Sequence, residues 1–323
     1  MSDLMTTTSV LGARERRDHM LARLGHRRMD HRVAPGLYCL GSPCRSSPVF
    51  VSANYTLSFD ALRSSLHGID AYILVLDTKG INVWCAAGKG TFGTDELVDR
   101  IKNSSLEENV DHRRLILPQL GAPGVSAHEV KARTGFSVEY GPVRAADLPE
   151  YLRTGPTEKM RRVTFPLRDR AVLIPVELRN VALMTVLAFT VLFIFGGVVP
   201  AIIALAAVLA GAALFPLLLP VLPTKDFTSK GVLLGALVSM PFALYYLTNE
   251  PGWTGTVCAA VTVLLMVPVV GYLALNFTGC STYASRTGVR GEIFRYIPIL
   301  VTMAVIGLVM IIIMVSGSML GWF

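Results

Sequence analysis

The chain has 323 residues, of which 52% are hydrophobic and only 16% charged, with a mean hydropathy of +0.51 and a formal net charge of +7. Soluble domains average about 25% charged residues, so composition excludes a wholly soluble protein and puts part of this chain in lipid. The basic surplus sits in an N-terminal arm (Arg14, Arg16, Arg17, Arg23, Arg27, Arg28, Arg32) and beside apolar runs. That pattern fits anionic headgroups or plain solvation, and we do not read it as nucleic-acid recognition.

The charge is confined almost entirely to residues 1–180. Three segments are expected: a basic, partly disordered arm over 1–33, an α/β, Rossmann-like domain over 34–178, and an all-α transmembrane domain over 179–323. The first 30 residues lack the apolar central run of an export signal, so the α/β domain is expected to stay in the cytoplasm. Cys39, Cys44, Cys85, Cys258 and Cys280 make an odd number, and in a reducing compartment they imply no disulfide framework.

In chain order, PVFVSA (48–53) reads as a strand, and Ser58 can N-cap a helix whose Phe59, Leu62 and Leu66 share a face. AYILVLD (71–77) is a continuous apolar run, typical of a strand buried on both faces. A helical stretch follows, broken by Gly88, Gly90 and Gly93, and restarts at Thr94 with Asp95 and Glu96 in its first turn. RRLILPQLG continues the pattern as strand and loop, SAHEVKARTG as a helix with Gly135 as C-cap, and SVEYGPVRA as a strand. Alternation of this kind implies a parallel sheet covered on both faces. Ligands bind such sheets at the carboxyl ends of the strands, here the loops 77–85, 118–124 and 141–147.

The least ordinary stretch is DTKGINVWCAAGKGTFGT, Asp77 to Thr94. Gly80 permits a tight turn, Asn82 is a good N-cap, and Val83, Trp84 and Cys85 then fill the first helical turn. A cysteine there meets unpaired backbone N–H groups and the positive end of the helix dipole, which favours thiolate. Ala86, Ala87 and Gly88 are small enough to let a large flat ligand approach closely. Generic motifs do not fit. Gly80 to Gly88-Lys89 has the wrong spacing for a phosphate-binding loop, and Gly90 stands where Ser or Thr is required. No Cys-X-X-Cys pair occurs, His26, His31, Cys39 and Cys44 match no standard zinc spacing, and Cys85 has no neighbouring His or Asp.

In the C-terminal half, apolar runs near 180–198, 200–222, 231–248, 254–276 and 297–319 are each about the 20 residues needed to cross a bilayer. GGVVP joins the first two through a tight turn that Gly196, Gly197 and Pro200 can make. Arg161, Arg162, Arg168, Arg170 and Arg179 precede the first run. Lys225 and Lys230 follow the second, and Arg286, Arg290 and Arg295 follow the fourth, whereas the loops after the first and third hold no Lys or Arg. The basic loops thus alternate, which predicts a cytoplasmic N-terminus and an outside Phe323 in a multi-pass inner (cytoplasmic) membrane protein. No charged residue lies inside any of the five runs, so they read as an anchor and docking surface. Cys258 is the one thiol at membrane depth, and packing is its commoner role.

The string NVWCAAGK, Asn82 to Lys89, resembles the cap-helix motif of the corrinoid protein of microbial mercury methylation, and matches it without departure. The likeness extends to PVFVSANYTLSFDALR, LILPQLGA, YGPVRAAD and the apolar helices behind. A related motif occurs in the corrinoid iron–sulfur protein of the acetyl-CoA pathway, whose cysteine-rich cluster domain and barrel have no counterpart here. The resemblance implies a corrinoid-dependent methyltransferase that passes a cobalt-bound methyl group to Hg(II). It implies a cobalamin-type corrinoid, cycling between methylcobalamin and cob(I)alamin, held base-off between the sheet and the cap helix with Cys85 as the lower axial ligand of cobalt. It further implies a small ferredoxin-like electron donor with two [4Fe–4S] clusters and a methyltetrahydrofolate-linked methyl donor.

Around the ring the resemblance points to Thr56, Asn82, Val83, Trp84, Cys85, Ala86, Gly88 and Lys89. Asn82 fixes the helix start. Trp84 either meets the ligand or only packs, Thr56 either reaches it from its loop or does not, and Lys89 meets an acidic group on the ring or faces solvent. Cys39 and Cys44 either pass mercury or are ordinary cysteines. Two other functions stay open: a corrinoid methyl carrier with a different acceptor, and a non-enzymatic membrane protein that binds or transports metal through its thiols.

Overall fold

A computed structural model describes residues 4–27, 30–250 and 252–319. Arg28 of the basic arm and Phe323, on which the topology expectation ends, lie outside the described residues. The chain divides into two compact units, Met1–Val163 and Thr164–Phe323.

The first unit contains β1 (Met5–Thr7), α1 (Ala13–Arg23), β2 (Gly36–Leu40), β3 (Val49–Ala53), α2 (Thr56–Ser65), β4 (Ala71–Leu76), α3 (Val83–Lys89), α4 (Thr94–Asn103) and α5 (Leu106–Asn109). It continues with β5 (Arg114–Leu117), α6 (Ala127–Thr134), β6 (Ser137–Tyr140), α7 (Leu148–Thr154) and α8 (Glu158–Arg161). The strands form one sheet in the order β1-β2-β4-β3-β5-β6. Side chains alternate across it as strand geometry demands. Val49, Val51, Leu74 and Leu76 bury one face with α3, α4 and α6, while Phe50, Ile73 and Val75 bury the other with α2 and α7.

The sheet is mixed where a parallel one was expected, because β2 runs antiparallel to β4. The short loop 41–48 returns the chain at the same end of the sheet, and a parallel neighbour would need a crossover of a dozen or more residues. The remaining pairs are parallel. From β3 the chain moves by α2 to β4 on one side, then by α3 and α4 to β5 on the other. The carboxyl ends of β3 and β5 therefore flank the point where the winding reverses, the usual place for a ligand crevice.

The described residues of the arm are ordered, where partial disorder was expected. Strand β1 pairs with β2, and α1 is fastened by buried charge. His19 Nε2 lies 2.7 Å from Asp60 Oδ2, Arg63 Nε donates to Asp60 Oδ1 at 2.6 Å, and Arg63 Nη1 donates to the Thr8 carbonyl at 2.6 Å. Asp60 and Arg63 are 1% and 6% exposed, so the ion pair is sheltered from screening. His31 is buried with both ring nitrogens facing acceptors, Asp18 Oδ1 at 2.7 Å and the His26 carbonyl at 2.6 Å. Burial opposes its charge, yet these two bonds outweigh it and raise the His31 pKa above its ordinary value. Local corrections are smaller. Helix α2 starts at Thr56 after Tyr55, so Ser58 lies inside it and is not its cap. Gly135 does cap α6, at φ +78°.

The second unit is helical: α9 (Leu167–Ala171), α10 (Ile174–Gly196), α11 (Val198–Leu209), a π-helical turn Ala210–Leu214, α12 (Phe215–Leu218), α13 (Phe227–Asn249), α14 (Trp253–Phe277) and α15 (Arg286–Met319). Among the described residues five helical segments are long and apolar enough to cross a membrane. Gly197 alone joins α10 to α11, at φ +83°, and Pro200 sits in the first turn of α11, where its missing N–H costs nothing. The unit begins before residue 179 because Arg170 is tied to it, donating to the Pro216 and Leu217 carbonyls at 2.9 and 2.7 Å.

Helices α10, α13 and α15 also start earlier than the apolar runs, so each carries charge in its first turns. These charges meet helix ends. Glu292 accepts from the Phe227 and Thr228 N–H groups at 3.2 and 2.9 Å, and Lys230 donates to the Leu219 and Leu222 carbonyls. Cys280 Sγ lies 2.9 Å from Glu177 Oε1. Gly231 and Gly235 let α13 approach α14 closely, since a Cβ at Gly235 would stand 3.0 Å from the Val267 Cα.

Candidate functional site

The site grows from the end of β4, every residue of which is buried. Its first support is Asn54, the residue after β3, which is 2% exposed. Asn54 Oδ1 accepts from the Thr78 and Gly80 N–H groups at 3.1 and 3.0 Å and lies 2.9 Å from Thr78 Oγ1. Its Nδ2 donates to Asp77 Oδ1 at 3.0 Å. One side chain thus ties the carboxyl ends of two neighbouring strands and satisfies the turn between them. The turn needs this help, because Lys79 and Gly80 are consecutive left-handed residues at φ +58° and +72°. Asn54 and Thr78 were not singled out from sequence. The available signal was a polar residue closing an apolar strand directly opposite a sharp turn.

Asn82 follows and caps α3, its Oδ1 accepting from the Cys85 N–H at 2.9 Å. Such a cap stabilises a helix start by about 1 kcal/mol. Helix α3 has seven residues and closes at Gly90, φ +84°, so Gly88 lies within the helix and does not break it. Its faces are distinct. Val83, Ala86 and Ala87 enter the core, whereas Trp84 and Cys85 are half-buried and Gly88 and Lys89 exposed. At about 100° per residue, positions 84, 85 and 88 share the outward side. A Cβ on Gly88 would meet nothing within 4 Å.

The loop after β5 braces the same helix from behind. Phe92 is fully buried. A Cβ at Gly121 would fall 2.6 Å from its ring, and one at Gly124 would strike the Phe92 carbonyl and lie 3.0 Å from the Ala87 Cα. Both glycines are therefore required for loop 118–124 to reach α3. Two polar atoms in these bracing segments, Thr91 Oγ1 and Gln119 Oε1, are buried without a hydrogen-bond partner.

These observations sort the expected residues. Cys85, Trp84, Gly88 and Lys89 are brought together on one outward face, with Asn82 beneath them. Val83 and Ala86, at 9% and 0% exposure, pack into the core. Thr56 is the first residue of α2 and not part of a loop, half-buried at the reversal point, with its N–H donating to the His31 carbonyl at 3.0 Å. Cys39 is buried in β2, which pushes its thiol pKa up. Cys44 is fully exposed in loop 41–48, where Ser46 and Ser47 lower its pKa to about 7. Among the described residues no three His, Cys, Asp or Glu side chains gather as for a metal ion.

Residues 26–152 match the family described as CO dehydrogenase/acetyl-CoA synthase delta subunit. The chain is also similar to the acetyl-CoA decarbonylase/synthase complex subunit gamma of Methanopyrus kandleri, 34% identical over 122 residues, which are 37% of this chain and 26% of that one. The corresponding subunit of Methanothermobacter thermautotrophicus is also 34% identical, over the same shares. The corrinoid/iron-sulfur protein large subunit of Moorella thermoacetica is 29% identical over 124 residues, 38% of this chain and 27% of that one. The chain spans about a quarter of the length of these relatives. Residues 26–152 contain the whole of α3 and its supports, and stop before the apolar helices. By sequence the chain is thus similar to subunits of acetyl-CoA decarbonylase/synthase complexes and to a corrinoid/iron-sulfur protein.

Proposed function

We propose that this protein is a membrane-anchored corrinoid methyltransferase whose acceptor is Hg(II), giving methylmercury. The observation that carries the reading is Cys85, a half-exposed thiol on the outward face of a short, rigidly braced helix at the reversal point of the sheet. It lies within residues 26–152, which match the CO dehydrogenase/acetyl-CoA synthase delta subunit family, in a chain that is similar to a corrinoid/iron-sulfur protein.

The residues present fit a corrinoid. Gly88 leaves open space beside Cys85 for a flat ring, Trp84 offers an apolar ledge, and Lys89 a cation for an acidic or phosphate group. Cys85 would hold the cobalt, and Asn82 would fix the sulfur's position through the cap. When bound, a corrinoid would supply methyl-transfer chemistry toward a soft electrophile. The five apolar helices anchor the unit, with the N-terminus inside the cell. Since the chain has no Cys-X-X-Cys pair, electrons would come from a separate iron–sulfur protein, and methyl groups from a folate-linked donor.

A second reading has support of its own. The relatives' names refer to acetyl-CoA chemistry and not to mercury, which favours a methyl carrier with another physiological acceptor. The test is the purified full-length protein loaded with methylcobalamin and offered Hg(II) under anaerobic conditions. Methylmercury formed in proportion to loaded protein supports the first reading. A stable methylated protein that ignores Hg(II) favours the second, and a protein that takes up no corrinoid removes both.

A further inference from the structure

Resting on the anchor reading of the five apolar helices and not on the corrinoid, we propose that the outward face of α1 is a seat for anionic phospholipid, which holds the first unit against the membrane surface. Helix α1 turns both of its acids inward. Glu15 lies 3.9 Å from Arg63 and Asp18 2.7 Å from His31, while His19 meets Asp60 and Ala22 is buried on the same side. What remains outside is basic and apolar. At about 100° per residue, Ala13, Met20 and Leu24 form one stripe, Leu24 continuing the helix through its N–H to the Met20 carbonyl. Arg16 and Arg23 border the stripe on one side, Arg17 and Arg14 on the other. All are exposed, Met20 by 56% and Leu24 by 42%. Among the described residues the guanidinium groups of Arg16, Arg17 and Arg23 meet no hydrogen-bond or ion-pair partner.

An apolar stripe bordered by arginines on both sides matches the layering of a bilayer surface. Met20 and Leu24 fit the boundary between headgroup and acyl chain, and the guanidinium groups reach back to the phosphates. Those groups pair with phosphate through parallel N–H bonds. Each arginine near an anionic leaflet strengthens association by about fivefold, so the charge supplies the affinity and the stripe sets the depth. Nucleic acid would engage the arginines but leave Met20 and Leu24 against a polar backbone. The ion pairs of His19 and Arg63 with Asp60 fasten α1 to α2, so lipid held on α1 positions the whole unit. Helix α2 packs on the face of the sheet opposite α3. The seat therefore leaves Cys85 open to soluble partners.

The test places full-length protein in nanodiscs of phosphatidylcholine alone or mixed with phosphatidylglycerol. Hydroxyl-radical footprinting read by mass spectrometry then reports the exposure of Met20, with Leu152 of α7, 38% exposed, as the reference. Modification of Met20 should fall by about fivefold or more in the anionic discs. It should return as salt is raised, because screening weakens the attraction. The combined variant Arg16→Gln, Arg17→Gln, Arg23→Gln should be modified equally in both lipids, with Leu152 and thermal stability unchanged, since these side chains hold nothing in the fold. Equal modification of wild-type Met20 in the two lipids at low salt would overturn the seat. Protection that appears only when an acidic iron–sulfur protein or nucleic acid is added would give the face to that partner and overturn it too. A chain that cannot be incorporated into nanodiscs removes the anchor reading, and the seat falls with it.

Discussion

Polar side chains close open backbone in both units, by charge in one and by a neutral amide in the other. At the helix starts of the second unit, Glu292 closes the N–H groups that open α13, and Lys230 closes carbonyls after α12. These charges complete backbone left unpaired where helices begin and end. In the first unit Asn54, nearly fully buried, closes the turn that leads into α3 by accepting from the Thr78 and Gly80 N–H groups. The difference teaches where a side chain is held most firmly: the deeply buried amide fixes the approach to the helix that carries Cys85, whereas the charges close helix ends that are only half-buried.

The largest effect that would break this comparison is at Cys85. Cys85→Ala leaves the scaffold intact, since the side chain is half-exposed and only its N–H is engaged by Asn82. Methyl transfer to Hg(II) should fall by about a hundredfold or more, because even residues one shell removed from a metal commonly cost 10–100-fold. Corrinoid should still bind. An assay of methylmercury beside equilibrium dialysis checks both halves, and unimpaired transfer would return the chemistry to some other part of the chain.

Next comes the scaffold. Asn54→Ala strands the buried Thr78 and Gly80 N–H groups and should destabilise the first unit by about 3 kcal/mol. Denaturant unfolding followed by the fluorescence of Trp84 would measure it. A loss under about 1 kcal/mol would mean that the turn does not depend on this side chain. Asn82→Ala is milder, about 1 kcal/mol for a lost cap, and it should loosen the position of Cys85 as seen in a broadened ligand-bound absorption band.

These positions also show what local pattern carries and what it does not. The five apolar helices, four of the strands, the Asn82 cap and the Gly135 stop were legible, because burial periodicity and capping act over a few neighbouring residues. Strands β1 and β2 were not. Strand β1 has only three residues, and the places of both depend on pairing with β4 and with each other, which no local pattern encodes. The order of the arm was hidden for the same reason, since Arg14, Arg16 and Arg17 read as a solvated tail until His19 and Arg63 meet Asp60 from distant parts of the sequence. Asn54 became recognisable only once β3 and β4 lay side by side. The motif located Cys85, but only the fold separates Trp84 and Gly88 on the outer face from Val83 and Ala86 inside.

The smallest expected effect lies in the arm. Against the opposing effect of burial, the His26 carbonyl and Asp18 favour the charged form of His31 and raise its folded pKa above the unfolded value of about 6.5. The stabilisation is therefore complete below about pH 6.5 and is lost as pH rises through the higher folded value. Amide hydrogen exchange in α1 should quicken over that window, and His31→Gln should flatten the dependence. Exchange that instead slows with rising pH, after correction for the intrinsic rate, would reverse the assigned sign.

The central claim is that Cys85 binds cobalt through sulfur, and cobalt K-edge X-ray absorption on the corrinoid-loaded full-length protein tests it most directly. A sulfur scatterer in the wild-type protein, replaced by a lighter atom or by nothing in Cys85→Ala, is the expected result. Identical spectra from the two proteins, with corrinoid bound in both, would contradict it.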